Sequence, residues 1–265
     1  MANIYELFSL KGKKALITGG AGHVGYAISQ TLAELGADVY IASRDKAKCQ
    51  EAASKIAGDC QHRIVAKGLH LDVLNAESIR SCFSEIEKDC GGLDVLANAA
   101  WSGKKNTFET INDADWDFDI EMCLSSVFRC VKAAHPGLKR KKGLILNVAS
   151  MYGHVSPDYR MYEGTPYANP PSYGAAKAGV IQFTRYLASF LSPDGIRANC
   201  ISPGPFPFGA TCENKVFMDR LKSKNPLQRI GQPEDLKGAV ALLCSGASGY
   251  MTGQNLCVDG GWAIW

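Results

Sequence analysis

The sequence predicts an α/β fold, a doubly wound parallel sheet with helices on both faces. Three observations carry that expectation. Short β-rich runs alternate with longer helical ones along the 265 residues. The β-rich runs are continuously apolar rather than alternating, as strands covered on both faces are. A glycine-rich turn, "TGGAGHVG" (18–25), falls between the first strand and the first amphipathic helix.

The elements follow in order. "KKALIT" (13–18) reads as a strand, and the helix over 24–36 puts Val24, Ile28, Leu32 and Leu35 on one face before ending at Gly36. Strands at 38–43, 63–73 and 93–100 are separated by helices at 44–58 and 76–91. A long helix near 113–138 leads to a strand at 143–150, then to the helix that carries "SYGAAKAG" (172–179). A strand at 196–202, a helix at 233–245 and a strand at 254–260 close the chain. No linker, repeat or low-complexity stretch interrupts this series, so a single domain over 1–265 is expected. The least regular stretches are a long segment near 151–171 and a variable loop or helix near 203–225. Irregular segments of that length in a compact domain are often functional.

Bulk composition excludes several classes. Hydrophobic residues are 46% and charged residues 21%, ordinary for a globular protein. A formal net charge of +3 is too mild to argue for nucleic acid, and the one compact basic run, "LKRKKG" (138–143), reads as a solvated helix end where cations suit the dipole. No apolar run is long enough to span a bilayer. The ten cysteines form no C-x-x-C pair, so no metal site is expected, and they read as small buried hydrophobes. "MANIYELF" shows no signal-peptide pattern, so a cytoplasmic location with free thiols is expected.

In the glycine-rich turn, Gly19, Gly22 and Gly25 permit a tight turn, close approach of phosphate and close helix–strand packing. The following helix offers free N–H groups to a pyrophosphate. Together with "LDVLANAA", "NVAS", "SYGAAKAG", "RANCISPG" and "NPLQRIGQPEDL…TGQNLCVDGG", this turn resembles the short-chain dehydrogenase/reductase family almost end to end. The resemblance implies a seven-stranded Rossmann-type parallel sheet flanked by helices on both faces, a nicotinamide cofactor, a small-molecule substrate, and a homodimer or homotetramer. It places Gly19, Gly22, His23, Val24, Gly25, Asp72, Val73, Asn98, Pro203 and Gly204 along the cofactor. One departure is His23, where short members of the family carry glycine; it either covers the pyrophosphate or fills space.

The end of the second strand meets the adenine ribose in the family. Here it carries Ser43 and Arg44, a hydroxyl and a guanidinium suited to a 2′-phosphate, which favours NADP(H) over NAD(H). The alternative for Arg44 is a solvated first-turn residue.

Tyr173 and Lys177 stand one helical turn apart on one face. Reducing a carbonyl needs hydride on carbon and a proton on oxygen. A lysine cation about 4 Å from a phenol, at an effective dielectric near 20, is worth roughly 4 kcal/mol, enough to lower the phenol's pKa toward neutrality. The resemblance further implies that Lys177 binds the nicotinamide ribose and that Ser150 bonds the substrate oxygen. Cys123 aligns where the family usually has a relay asparagine, and Phe208 where a threonine often meets the nicotinamide amide, with Thr211 further on as a substitute.

The segment between Ser150 and Tyr173 is longer than is typical and is aromatic and polar, with Tyr152, Tyr159, Arg160, Tyr162 and Tyr167. It is expected over the substrate side, where Tyr152 and Arg160 join Ser150 and Tyr173 as candidate contacts to a polyhydroxylated or charged ligand; a subunit contact or a lid's outer surface is the alternative. Trp101, Trp116 and "GGWAIW" read as packing or interface residues. The leading expectation is an NADP(H)-dependent oxidoreductase on a small polar, sugar- or polyol-like carbonyl or alcohol. A sugar-nucleotide epimerase or dehydratase and a catalytically silent NADP-binding module are the alternatives.

Overall fold

Seven strands form one parallel sheet: β1 (Lys14–Thr18), β2 (Asp38–Ser43), β3 (Ala66–His70), β4 (Val95–Asn98), β5 (Leu144–Val148), β6 (Arg197–Pro203) and β7 (Asn255–Val258). This is the computed structural model, which describes residues 1–264. The strand order is β3-β2-β1-β4-β5-β6-β7, every neighbouring pair parallel. Winding reverses between β1 and β4, which pair through Ala15–Val95 to Thr18–Asn98. At such a reversal the helices leave in opposite directions and open a crevice beyond the strands' carboxyl ends.

Helices cover both faces because successive strand residues point to opposite sides. Leu16, Tyr40, Leu96 and Ile145 face one core, shared with α4 (Ala76–Cys90), α6 (Ser126–Lys141) and α7 (Pro171–Leu191). Ile17, Val39, Ile41, Val95 and Leu146 face the other, shared with α2 (His23–Glu34), α3 (Lys46–Asp59) and α9 (Lys237–Cys244). A satellite cluster under the long insert joins Met151, Tyr152 and Met161 to Phe217, Met218 and Leu221 of α8 (Lys215–Ser223), with Trp262.

Local differences from the sequence expectation have local causes. The third strand is five residues rather than eleven, because the backbone beyond it turns at Asp72, whose carboxylate accepts the Leu74 N–H at 3.0 Å. The fourth ends at Asn98, where Thr18 Oγ1 accepts the Ala99 and Ala100 N–H groups, each at 3.2 Å. The long helix is α5 (Asp113–Ile120) and α6 joined by a π-helical turn over Glu121–Ser125. The helix at 233–245 begins as a 3₁₀ turn, Pro233–Leu236. A short α1 (Ile4–Phe8), absent from the sequence reading, is held by reciprocal bonds between Asn3 and Glu6. The basic run ends α6, with Lys139 on Asp194 and Arg140 on Glu87, a solvated helix end as expected.

Candidate active site

The crevice beyond the strand ends holds a cavity of about 540 Å³. Its floor is the glycine turn. Gly19 has φ +66°, and a Cβ there would lie 2.7 Å from Ala100 Cα; one on Gly25 would lie 2.1 Å from the Gly19 carbonyl oxygen. Only bare backbone lets α2 enter this close to the sheet. Gly22 is the N-cap of α2 and supplies no side-chain bond, so first-turn N–H groups stay free at the cavity. His23 Nε2 and Asn98 Oδ1 are buried nearby without a hydrogen-bond partner among the described residues. An uncapped helix start with unmet polar atoms fits a pyrophosphate-bearing dinucleotide.

Gly19, Gly22, His23, Val24, Gly25, Ser43, Arg44, Ser150, Tyr173, Lys177, Pro203 and Gly204 all line this one cavity. Asp72 and Val73 line a smaller adjoining lobe of about 100 Å³ that shares Gly19, Ser43 and Arg44 with it. Asn98 lies just beneath rather than on the wall, its Nδ2 donating to Asn147 Oδ1 at 2.9 Å. Asn147 Nδ2 donates to Thr184 Oγ1 at 2.9 Å, so a buried polar file runs from β4 through β5 into α7. His23 stacks on Phe208, centroids 5.2 Å apart, and burial lowers its pKa against the opposing pull of Glu234.

Lys177 is 5% exposed and its Nζ donates to the Val148 carbonyl at 2.7 Å; burial pushes its pKa down. The ammonium lies 5.7 Å from the Tyr173 ring centroid. The expectation that this cation brings the phenol toward neutrality is not met in the chain by itself. Burial pushes the Tyr173 phenol up to about 12, with Ser150 pulling it back and Cys123 and Tyr162 adding to the rise. Desolvation of the phenolate outweighs a cation turned toward a backbone carbonyl.

Two expected substrate contacts lie elsewhere. Tyr152 is 7% exposed in the satellite core, its hydroxyl bonded to that of Tyr162 at 2.8 Å and its ring edge-on to Trp262. Arg160 is turned to solvent and tied to Asp158 at 2.7 Å. Neither lines the cavity. A local carboxylate holds the guanidinium, and the aromatic body of the insert packs inward on Phe217 instead of presenting its edges. Trp101, read from sequence as a packing or interface residue, is a cavity wall 54% exposed and edge-on to Tyr173 at 6.0 Å. Phe206, Asp45 and Lys48 also line the cavity and were not singled out. Thr211 does not line it. Trp262 packs as expected at 2% exposed, while Trp265 lies outside the described residues.

Cys123 sits in the π-helical turn, 2% exposed, its thiol raised by burial while Lys177 and the Trp101 N–H oppose the rise. Eight of the ten cysteines are buried or half-buried, as expected, while Cys212 and Cys257 are exposed. Among the described residues, no helix is long and apolar enough to cross a membrane.

Fold and cleft together define a nicotinamide-dinucleotide oxidoreductase of the doubly wound α/β class. A family model described as enoyl-(acyl carrier protein) reductase matches residues 19–263. The chain is 34% identical over 258 residues to 3-oxoacyl-(acyl-carrier-protein) reductase of Vibrio cholerae, spanning 96% of this chain and 98% of that one. The crystal structure of a gluconate 5-dehydrogenase from Burkholderia cenocepacia in complex with NADP and tartrate superposes with a TM-score of 0.89 at 28% identity, covering 99% of this chain and 100% of that one. A short-chain type dehydrogenase/reductase from Mycobacterium marinum superposes with a TM-score of 0.88 at 29% identity, covering 99% and 100%. The chain belongs to the short-chain dehydrogenase/reductase family and is an oxidoreductase. The catalytically silent reading is set aside.

Proposed function

We propose that this enzyme interconverts a small polar carbonyl and its alcohol, sugar- or polyol-like, with NADP(H) as hydride carrier. One observation carries the reading: Ser150, Tyr173 and Lys177 converge on the same cavity whose far end is the uncapped glycine turn with Ser43 and Arg44. When bound, the dinucleotide supplies or accepts the hydride. Ser150 orients the substrate oxygen, and Tyr173 holds the proton that oxygen gains or loses. A phenol held up at about 12 is a proton donor at neutral pH, which suits the reducing direction. Lys177, fixed by Val148, presents its remaining N–H groups to the ribose hydroxyls.

The preference for NADP(H) is supported by two cations, Arg44 and Lys48, at the mouth beside Ser43. The nearby Asp45 carboxylate is engaged in accepting the Lys48 N–H at 2.9 Å as the cap of α3. The polar substrate class is supported by the hydroxyl-bearing wall of Ser150 and Tyr173, and by likeness to a gluconate 5-dehydrogenase structure that holds tartrate. The test is turnover of a panel of sugars, polyols, hydroxy acids and aliphatic ketones with NADPH, NADH and their oxidised forms. Stoichiometric dinucleotide consumption on polar members, with NADPH bound more tightly, is expected. Isomerised product without net dinucleotide change would overturn the redox reading in favour of epimerisation.

A further inference from the structure

Four tryptophans occur in the chain, and Trp101 and Trp262 among them are opposites. Trp262 is 2% exposed in the satellite core; Trp101 is 54% exposed, although it lines a concavity. An indole left uncovered inside a cleft has a ligand to meet, not a core to fill.

The segment carrying Trp101 is not loose. A Cβ on Gly103 would lie 3.3 Å from Trp101 Cζ2 and 3.5 Å from Asp119 Oδ1, so the loop folds back tightly under the indole. Asp119, 1% exposed on α5, accepts the Lys104 N–H at 3.2 Å through one oxygen and the Ser172 hydroxyl at 2.6 Å through the other. One buried carboxylate thus ties the loop after Trp101 to the helix turn that presents Tyr173, and the two rings meet edge-on with an interplanar angle of 79°. Its surroundings are thus fixed from α5 and α7.

We infer that Trp101 is the platform on which the substrate's non-reacting face rests, that Asp119 is its positioning residue, and that the ligand selected is a ring-shaped sugar or polyol. The inference rests on the polar-substrate reading above and narrows it. A rigid aromatic face takes up the C–H face of a saturated ring, while the ring's hydroxyl edge stays free for Ser150 and Tyr173. An acyclic chain offers no such flat apolar face and draws less from the indole.

The test compares kcat and KM of wild type, Trp101→Ala, Trp101→Leu, Trp101→Phe and Asp119→Asn on ring-shaped and acyclic polyols or carbonyls of equal oxidation level, with melting temperatures measured alongside. In Trp101→Ala the ratio of ring to acyclic kcat/KM is expected to fall about tenfold, through KM rather than kcat. Trp101→Leu, which keeps apolar bulk without the aromatic face, should match it, and Trp101→Phe should restore part of the ratio. Asp119→Asn should move the ratio the same way by a smaller factor. Equal loss on both classes, or Trp101→Leu behaving as Trp101→Phe, overturns the platform while leaving the polar-substrate reading intact. A wild-type enzyme that turns over only aliphatic carbonyls removes both.

Discussion

Lys177 aims its ammonium at the carbonyl of Val148, 2.7 Å away, and not at the phenol it sits one turn beneath. β5 therefore fixes the lysine, and Tyr173 is left under the control of burial and Ser150. The proposed mechanism gives the two residues separable jobs, and a variant of Tyr173 should spare what Lys177 holds.

In the proposed mechanism, Tyr173→Phe removes the proton carried to and from the substrate oxygen while leaving the ring packed. Turnover is expected to fall roughly 100- to 10,000-fold. NADPH affinity, measured by fluorescence titration, should stay within a few-fold of wild type. Near-normal turnover would reassign the proton donor.

The elevated phenol sets a pH profile. Alcohol oxidation needs the deprotonated form, whose fraction rises about tenfold per pH unit below the group's pKa. The log of kcat/KM for oxidation should therefore climb through neutral pH and still be rising at pH 9, while reduction holds steady over the same range. A plateau in oxidation below pH 8 would mean that the phenol is lowered by several units in the loaded enzyme, the direction that the spacing of Tyr173 and Lys177 suggested.

Arg44→Ala tests the dinucleotide preference. Losing one charge-assisted contact to a phosphate should weaken NADPH binding about ten- to a hundredfold and leave NADH nearly unaffected. Equal effects on both would make Arg44 an ordinary surface cation.

Gly25→Ala places a methyl 2.1 Å from the Gly19 carbonyl oxygen and 3.0 Å from Gly20 Cα. We expect a stability loss of about 2–3 kcal/mol in chemical denaturation and a further loss of dinucleotide affinity, because α2 must back away from the turn.

Thiol labelling reads burial directly. Cys82, Cys130, Cys200 and Cys244 are pushed up to about 12 by desolvation, so the thiolate is scarce at pH 8. Mass spectrometry after brief alkylation of the folded protein should find Cys212 and Cys257 modified first. Rapid modification of Cys244 would show that α9 opens readily.

Much of this was legible because it rests on local pattern. Apolar continuity announced buried strands, and the spacing of Gly19, Gly22 and Gly25 announced the turn, since a Cβ at Gly19 or Gly25 would collide with backbone. The one-turn spacing brought Tyr173 and Lys177 to one wall. What composition could not give was direction. Tyr162 and Tyr167 of the insert face inward on Phe217, a partner some fifty residues on in sequence, and Arg160 is claimed by Asp158 two residues away. The place of Trp101 in the cleft was not legible, because an indole after a strand looks the same in sequence whether it covers a core, meets a subunit or walls a cleft. The direction of the Tyr173 shift depends on how much protein surrounds the hydroxyl, which spacing does not encode.

The file of Asn98, Asn147 and Thr184 threads three elements with side-chain bonds alone. Swapping Asn147 for an aliphatic residue strands Asn98 Nδ2 in a dry interior at about 1–3 kcal/mol, while Thr184 keeps its bond to the Val180 carbonyl at 2.8 Å. Replacing both amides together leaves nothing stranded. Divergence at Asn98 and Asn147 should thus be concerted, and a lineage that has lost one amide should have remodelled the other.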